Sequence, residues 1–107
     1  GVIAPGVNLS IQALHKAASK LPNINVRRPD SVIGKNTVNA MQSGVYWGYV
    51  GLIDRILSEI KKEVGNDVVV IATGGLAPLF AKDNEAIDMV DQDLTLKGLY
   101  LIAEQNK

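Results

Sequence analysis

Apolar and polar positions along this chain follow two different periods. In the stretch "NLSIQALHKAASKL", Leu9, Ala13, Leu14, Ala17, Ala18 and Leu21 recur at helical spacing and predict a helix. Asn8 or Ser10 could cap it by accepting a hydrogen bond from a free amide. Positions 36–64 carry the longest helical pattern, roughly 40 Å if continuous. One stripe of it is apolar: Val38, Met41, Val45, Tyr49, Leu52, Ile53, Ile56 and Ile60. A second stripe is small: Ala40, Gly44, Gly48 and Gly51. Helical glycines cost about 1 kcal/mol each, so the second stripe predicts close approach of another helix or strand. Gly65 and Asn66 end the pattern.

Between the helices the pattern becomes strand-like. Val2, Ile3 and Ala4 form a short apolar run closed by Pro5 and Gly6, and Ile24 to Val26 form another before a Pro-bounded loop. "DVVVIA", positions 67–72, has β-branched residues without alternation and predicts a strand buried on both faces. "APLFAKDN" predicts a short helix or turn and "AIDMV" a brief strand. "DQDLTLKGLYLIAEQ" predicts a closing helix with Asp93 as N-cap and Leu94, Gly98, Leu101 and Ile102 facing inward. The fold class is α/β, with a small mixed sheet and one long helix.

The 107 residues make one domain, or half of a larger one. "GVIAPG" has neither Met nor a basic signal region and reads as a strand cut open, which predicts a fragment. No apolar run approaches the roughly 20 residues of a membrane span, so no membrane is expected as partner. Without cysteine there is no disulfide framework and no thiolate-bound metal, which fits a cytoplasmic location. Eleven basic residues balance eleven acidic ones, so no positive field favours nucleic acid.

The chemistry-bearing stretch is "VIATGGLAP": a strand that runs into Thr73, Gly74 and Gly75. Ligands in open α/β sheets lie at the carboxyl ends of strands, and glycine lets the backbone approach them. A plain turn is the competing reading. Neither G-x-x-x-x-G-K-[ST] nor G-x-G-x-x-G occurs.

Four blocks occur in order: "GVIAPG", "IGKNTVNAMQSGVYWGYVG", "VIATGGLAP" and "DLTLKGLYLI". Together they resemble the C-terminal half of type III pantothenate kinases, over essentially the whole chain. The resemblance implies a ribonuclease-H-like half of an actin-like ATPase, with ATP in the cleft between two halves. It implies phosphorylation of pantothenate by ATP, the first committed step toward coenzyme A. Mg²⁺, a monovalent cation (K⁺ or NH₄⁺) and a homodimer come with it. Carried over by residue, Pro5 and Gly6 match a nucleotide-side turn. Thr73, Gly74 and Gly75 match the adenosine-side motif, and Thr37 in "GKNT" matches a position whose hydroxyl reaches pantothenate. The family's N-terminal phosphate loop and general-base Asp have no match here. They are expected in a missing N-terminal half, so the chain alone should transfer no phosphoryl group. The alternative is a non-catalytic interaction or transcription accessory module of the same family.

Each candidate has a plainer reading. Thr37 could cap the long helix, and Lys35 could be a solvated loop lysine rather than a phosphate partner. His15, the single histidine, falls on a polar helix face. Asp88, Asp91 and Asp93 fit turn and cap duties better than a metal shell. Tyr46, Trp47 and Tyr49 fit packing or interface better than base stacking. With the small stripe, those aromatics are expected to remain uncovered and to mark a self-association face centred on Gly44, Gly48 and Gly51.

Overall fold

A computed structural model describes residues 1–18 and 21–106. The elements, in order, are α1 (Val7–Ala17), α2 (Thr37–Val64), β1 (Ile71–Ala72), α3 (Ala77–Ala81), β2 (Met89–Val90) and α4 (Leu94–Gln105). The chain divides into two compact units, Gly1–Ile53 and Asp54–Lys107.

In the first unit, Ile11 of α1 and Met41, Val45 and Tyr46 of α2 are buried, Tyr46 completely. Gly6, not Asn8 or Ser10, occupies the N-cap of α1, and no side chain caps it. The helix ends before the expected Leu21: Ala18 is its extended C-cap and Leu21 lies outside it, while 19 and 20 lie outside the described residues. The two short strands expected in this unit do not form. Val2 and Ile3 are 60% and 100% exposed, without the neighbouring strand an extended backbone needs. Within Ile24 to Val26 the Asn25 carbonyl is taken by α2 instead: the buried Gln42 donates Nε2–H to it at 3.3 Å. The buried Ser43 donates its hydroxyl to the Val32 carbonyl. Gly34 completes this seam. A Cβ there would fall 2.5 Å from the Ala40 Cα, so only glycine lets the loop lie on the first turn of α2.

The aromatic residues expected to be left over are used inside the unit. Tyr46 meets Trp47 edge-to-face at 5.1 Å between ring centroids, and the Arg28 guanidinium stacks 5.2 Å above the Trp47 ring. By contrast, an added Cβ at Gly44, Gly48 or Gly51 would meet nothing within 4 Å. Among the described residues the close approach predicted for the small stripe is found at Ala40, against Gly34, and not at its three glycines.

In the second unit, β1 and β2 pair in parallel, Ile71 with Met89 and Ala72 with Val90. The class is α/β, as the pattern predicts, but among the described residues the sheet is two parallel strands rather than a mixed one. The expected strand 67–72 is regular only at its end. Its burial alternates: Val68, Val70 and Ala72 are half-buried, while Val69 and Ile71 are exposed. It is therefore not buried on both faces. Phe80 of α3 and Asn84 form the buried centre, with Asn84 Nδ2–H on the Phe80 carbonyl at 2.9 Å. α4 matches its predicted span within three residues. None of its residues is buried, so Leu94, Leu101 and Ile102 do not face inward as expected. Gly65 ends α2 with φ +97°, the left-handed conformation expected at that point.

Candidate functional site

The candidate residues fall in both units. In the first, Pro5 and Gly6 enter α1 under the control of Tyr49. The Tyr49 hydroxyl lies 2.8 Å from the Pro5 carbonyl and 3.0 Å from the Gly6 carbonyl, and donates to them. Ser10 Oγ, 2.5 Å away, donates to Tyr49 in turn. The Gly6 carbonyl also receives the Ser10 amide at 3.1 Å. The extended Pro5–Gly6 segment is thus fixed by a side chain more than forty residues away in sequence.

Thr37 is the first residue of α2, and capping falls to its neighbour. Asn36 Oδ1 accepts the Asn39 amide at 2.9 Å and the Asn36 carbonyl accepts the Ala40 amide at 2.9 Å. The Thr37 side chain is exposed and spared for other contacts. Thr37 and Pro5 line the same open groove of about 930 Å³, walled by Ala13, Ala17, Ala40, Gly44 and Gly48. Its lining is almost wholly apolar. Lys35 is exposed and shares a smaller polar pocket of about 280 Å³ with Arg27 and Asp30, so its wall carries both signs of charge. His15 is half-buried, and its Nδ1–H donates to the Leu21 carbonyl at 2.6 Å, which ties down the chain leaving α1.

In the second unit, Thr73, Gly74 and Gly75 follow directly on the carboxyl end of β1 and are exposed. Gly74 has φ +105°, where an L side chain is strained. Its carbonyl accepts the Ala77 amide at 3.2 Å, turning the chain into α3. Gly75 has no positive φ and open space where a Cβ would stand. The two glycines therefore differ: the turn itself requires Gly74, and nothing among the described residues requires Gly75.

Beside this turn lies a polar cluster that periodicity does not reveal. Asp91 follows β2, and its amide donates to the Ala72 carbonyl at 2.9 Å, next to Thr73. Asp91 Oδ1 accepts the Asp93 amide at 3.0 Å, and Oδ2 pairs with Lys97 Nζ at 2.8 Å. The Lys97 hydrogen bond, then the Asp93 amide, hold the Asp91 carboxyl below the usual carboxylate range. Reciprocally, Asp91 pushes the Lys97 ammonium up. Asp93 stands at the N-cap of α4 without a side-chain capping bond; Asp91 ties down that turn instead. Asp88 Oδ2 accepts the Val70 amide at 2.7 Å.

Asp88 and Asp91 are thus committed to backbone and lysine donors. Among the described residues, no three His, Cys, Asp or Glu side chains come together to hold a metal ion. The described residues do not fit a metal shell. No helix is long and apolar enough to cross a membrane.

Comparison with known proteins places this sequence in a family. The family model for type III pantothenate kinase matches residues 1–59. A type III pantothenate kinase of Paramagnetospirillum magneticum is 57% identical over 106 residues, covering 99% of this chain and 41% of the relative. Those of Acidiphilium cryptum and Roseobacter denitrificans are each 55% identical, over 99% and 100% of this chain and 40% and 42% of the relatives. The chain therefore spans about two-fifths of the length of these relatives. On the family model and the identities together, the chain belongs to the type III pantothenate kinase family.

Proposed function

We propose that this chain is the nucleotide- and substrate-binding C-terminal half of an ATP-dependent pantothenate kinase. Its fold would be a ribonuclease-H-like half, whose sheet gains strands from the rest of the protein. The exposed apolar residues Val2, Ile3, Val69 and Ile71 favour such completion. The observation that carries the functional reading is the turn at Gly74, φ +105°, at the carboxyl end of a parallel strand in a chain of this family.

In this reading Thr73, Gly74 and Gly75 offer backbone to the adenosine, with Gly75 kept small for the ligand. Pro5 and Gly6, fixed by Tyr49, form the second nucleotide-side turn. The Thr37 hydroxyl, released from capping by Asn36, contacts pantothenate. Phosphoryl transfer needs phosphates, metal and nucleophile held in line. Mg²⁺ neutralises phosphate charge in such reactions, and the monovalent cation completes the family's requirement. The groups that hold both, with the general base, would belong to the N-terminal half. The work of this chain is to bind and orient.

Association as a homodimer through α2 fits the same reading. Gly44, Gly48 and Gly51 leave open a flat helical face beside an apolar groove. A cytoplasmic enzyme is the corresponding setting. A coupled ADP-release assay of the full-length protein tests the proposal: turnover should depend on both ATP and pantothenate, and the isolated chain should show none.

A further inference from the structure

We propose that Asp91 reads the ribose of the bound nucleotide, its carboxylate accepting hydrogen bonds from the 2′- and 3′-hydroxyls. This rests on the reading of residues 73–75 as the adenosine side of the site.

Strand direction sets the geometry. β1 and β2 are parallel and in register, Ala72 opposite Val90, so Thr73 and Asp91 leave the sheet at the same end. Adjacent strands are spaced about 4.8 Å apart. The bond from the Asp91 amide to the Ala72 carbonyl, 2.9 Å, carries that adjacency one residue past the paired strands. The Asp91 backbone therefore runs beside Thr73, and a ligand laid against the bare backbone of Gly74 and Gly75 would lie at the strand end that carries Asp91.

The carboxylate is prepared for such a contact. Lys97 on Oδ2 and the Asp93 amide on Oδ1 fix its orientation. They occupy two of roughly four lone-pair sites, one on each oxygen. The remaining pair can accept from two donors on neighbouring carbons, the arrangement of a ribose diol. Its side chain is 21% exposed, so it is reachable. Phosphate oxygens offer no donors and are repelled. The Lys97 ammonium offsets the negative charge that would otherwise disfavour an anionic nucleotide nearby. Bonds from hydroxyl to carboxylate are charge-assisted and directional, so they discriminate between nucleotides that carry or lack the hydroxyl.

Binding of ATP, 2′-deoxy-ATP and 3′-deoxy-ATP to the full-length protein, measured by calorimetric titration, tests the assignment. Wild-type protein should prefer ATP over each deoxy form on the order of tenfold or more. In Asp91→Asn that preference should shrink to about threefold or less, mainly because ATP binds more weakly. Should Asp91→Asn fail to fold, Lys97→Met serves instead. It keeps the carboxylate but frees it, and its preference should be clearly below wild type. A wild-type preference retained in the variant that folds, or no wild-type preference at all, overturns the role of Asp91. Failure of the wild-type protein to bind any of the three overturns the nucleotide reading itself.

Discussion

The hydroxyl of Tyr49, on the fourth turn of α2, donates to the carbonyl of Pro5 at 2.8 Å and so ties the first turn of the chain to its longest helix. The same oxygen reaches the Gly6 carbonyl and receives Ser10. Tyr49→Phe keeps the ring and removes this bridge. Net stability should fall by about 1–2 kcal/mol. Amide exchange should rise around residues 7–11 and stay unchanged near residue 80. If Pro5 and Gly6 form a nucleotide-side turn, the KM for ATP should rise with it.

The two glycines of the 73–75 turn separate fold from ligand. Gly74→Val forces a β-branched residue to φ +105°, a strain of roughly 1–3 kcal/mol before any ligand arrives. A raised ATP KM in that variant is therefore ambiguous. Gly75→Ala carries no such strain and meets open space. It should melt within a degree or two of wild type while its KM for ATP rises several-fold and that for pantothenate changes much less. An unchanged ATP KM would make the pair a simple turn.

The glycines of the first unit should divide into two groups. Gly34→Ala drives a methyl into the backbone of Ala40 and should cost on the order of 1–3 kcal/mol in chemical denaturation. Gly48→Ala, on the open face of α2, should favour the helix by about 0.5–1 kcal/mol if that face is free. Gly48→Glu should shift a dimer toward monomer in sedimentation, because its carboxylate would be buried between closely packed helices. A wild-type protein that remains monomeric at high concentration contradicts the α2 interface.

The Asp91–Lys97 pair sets the sign of a pH effect. The folded carboxyl titrates below its unfolded value of about 3.9. Its contribution is present above that value and is lost as pH falls through the lower folded one. The folded Lys97 titrates above its unfolded value of about 10.4. Its contribution is complete below that value and is lost as pH rises through the higher folded one. Lys97→Met should therefore lower stability at neutral pH, where the contribution is present, and leave the acid and alkaline extremes, where it is already lost, unchanged. Thermal melts across pH read this as a flatter profile, and the change should be small because Lys97 is exposed to solvent.

The helices were legible because their signal is local. The repeat of apolar residues marked α2 to within one residue, and Gly65 marked its end. The strands were not, because a strand is defined by its neighbour. Val2 to Ala4 and Ile24 to Val26 have the composition of strands and lack a partner strand among the described residues. The run "VVVI" reads as doubly buried, yet only alternate residues are covered here. The candidate residues Pro5, Gly6, Thr37, Thr73, Gly74 and Gly75 were named from motif resemblance. What supports them was hidden: Tyr49 lies more than forty residues from Pro5, and the six-residue step from Asp91 to Lys97 fits no helical period. Gly34 belongs to no periodic pattern, although a Cβ there would meet the backbone of Ala40.

The most direct test of the central claim is phosphoryl transfer by the full-length protein, followed as ADP release with and without pantothenate. The account predicts ATP-dependent turnover that needs pantothenate, falls several-fold at limiting ATP in Gly75→Ala, and is absent from the isolated 107-residue chain. ADP release indifferent to pantothenate, or full turnover by the chain alone, would contradict it.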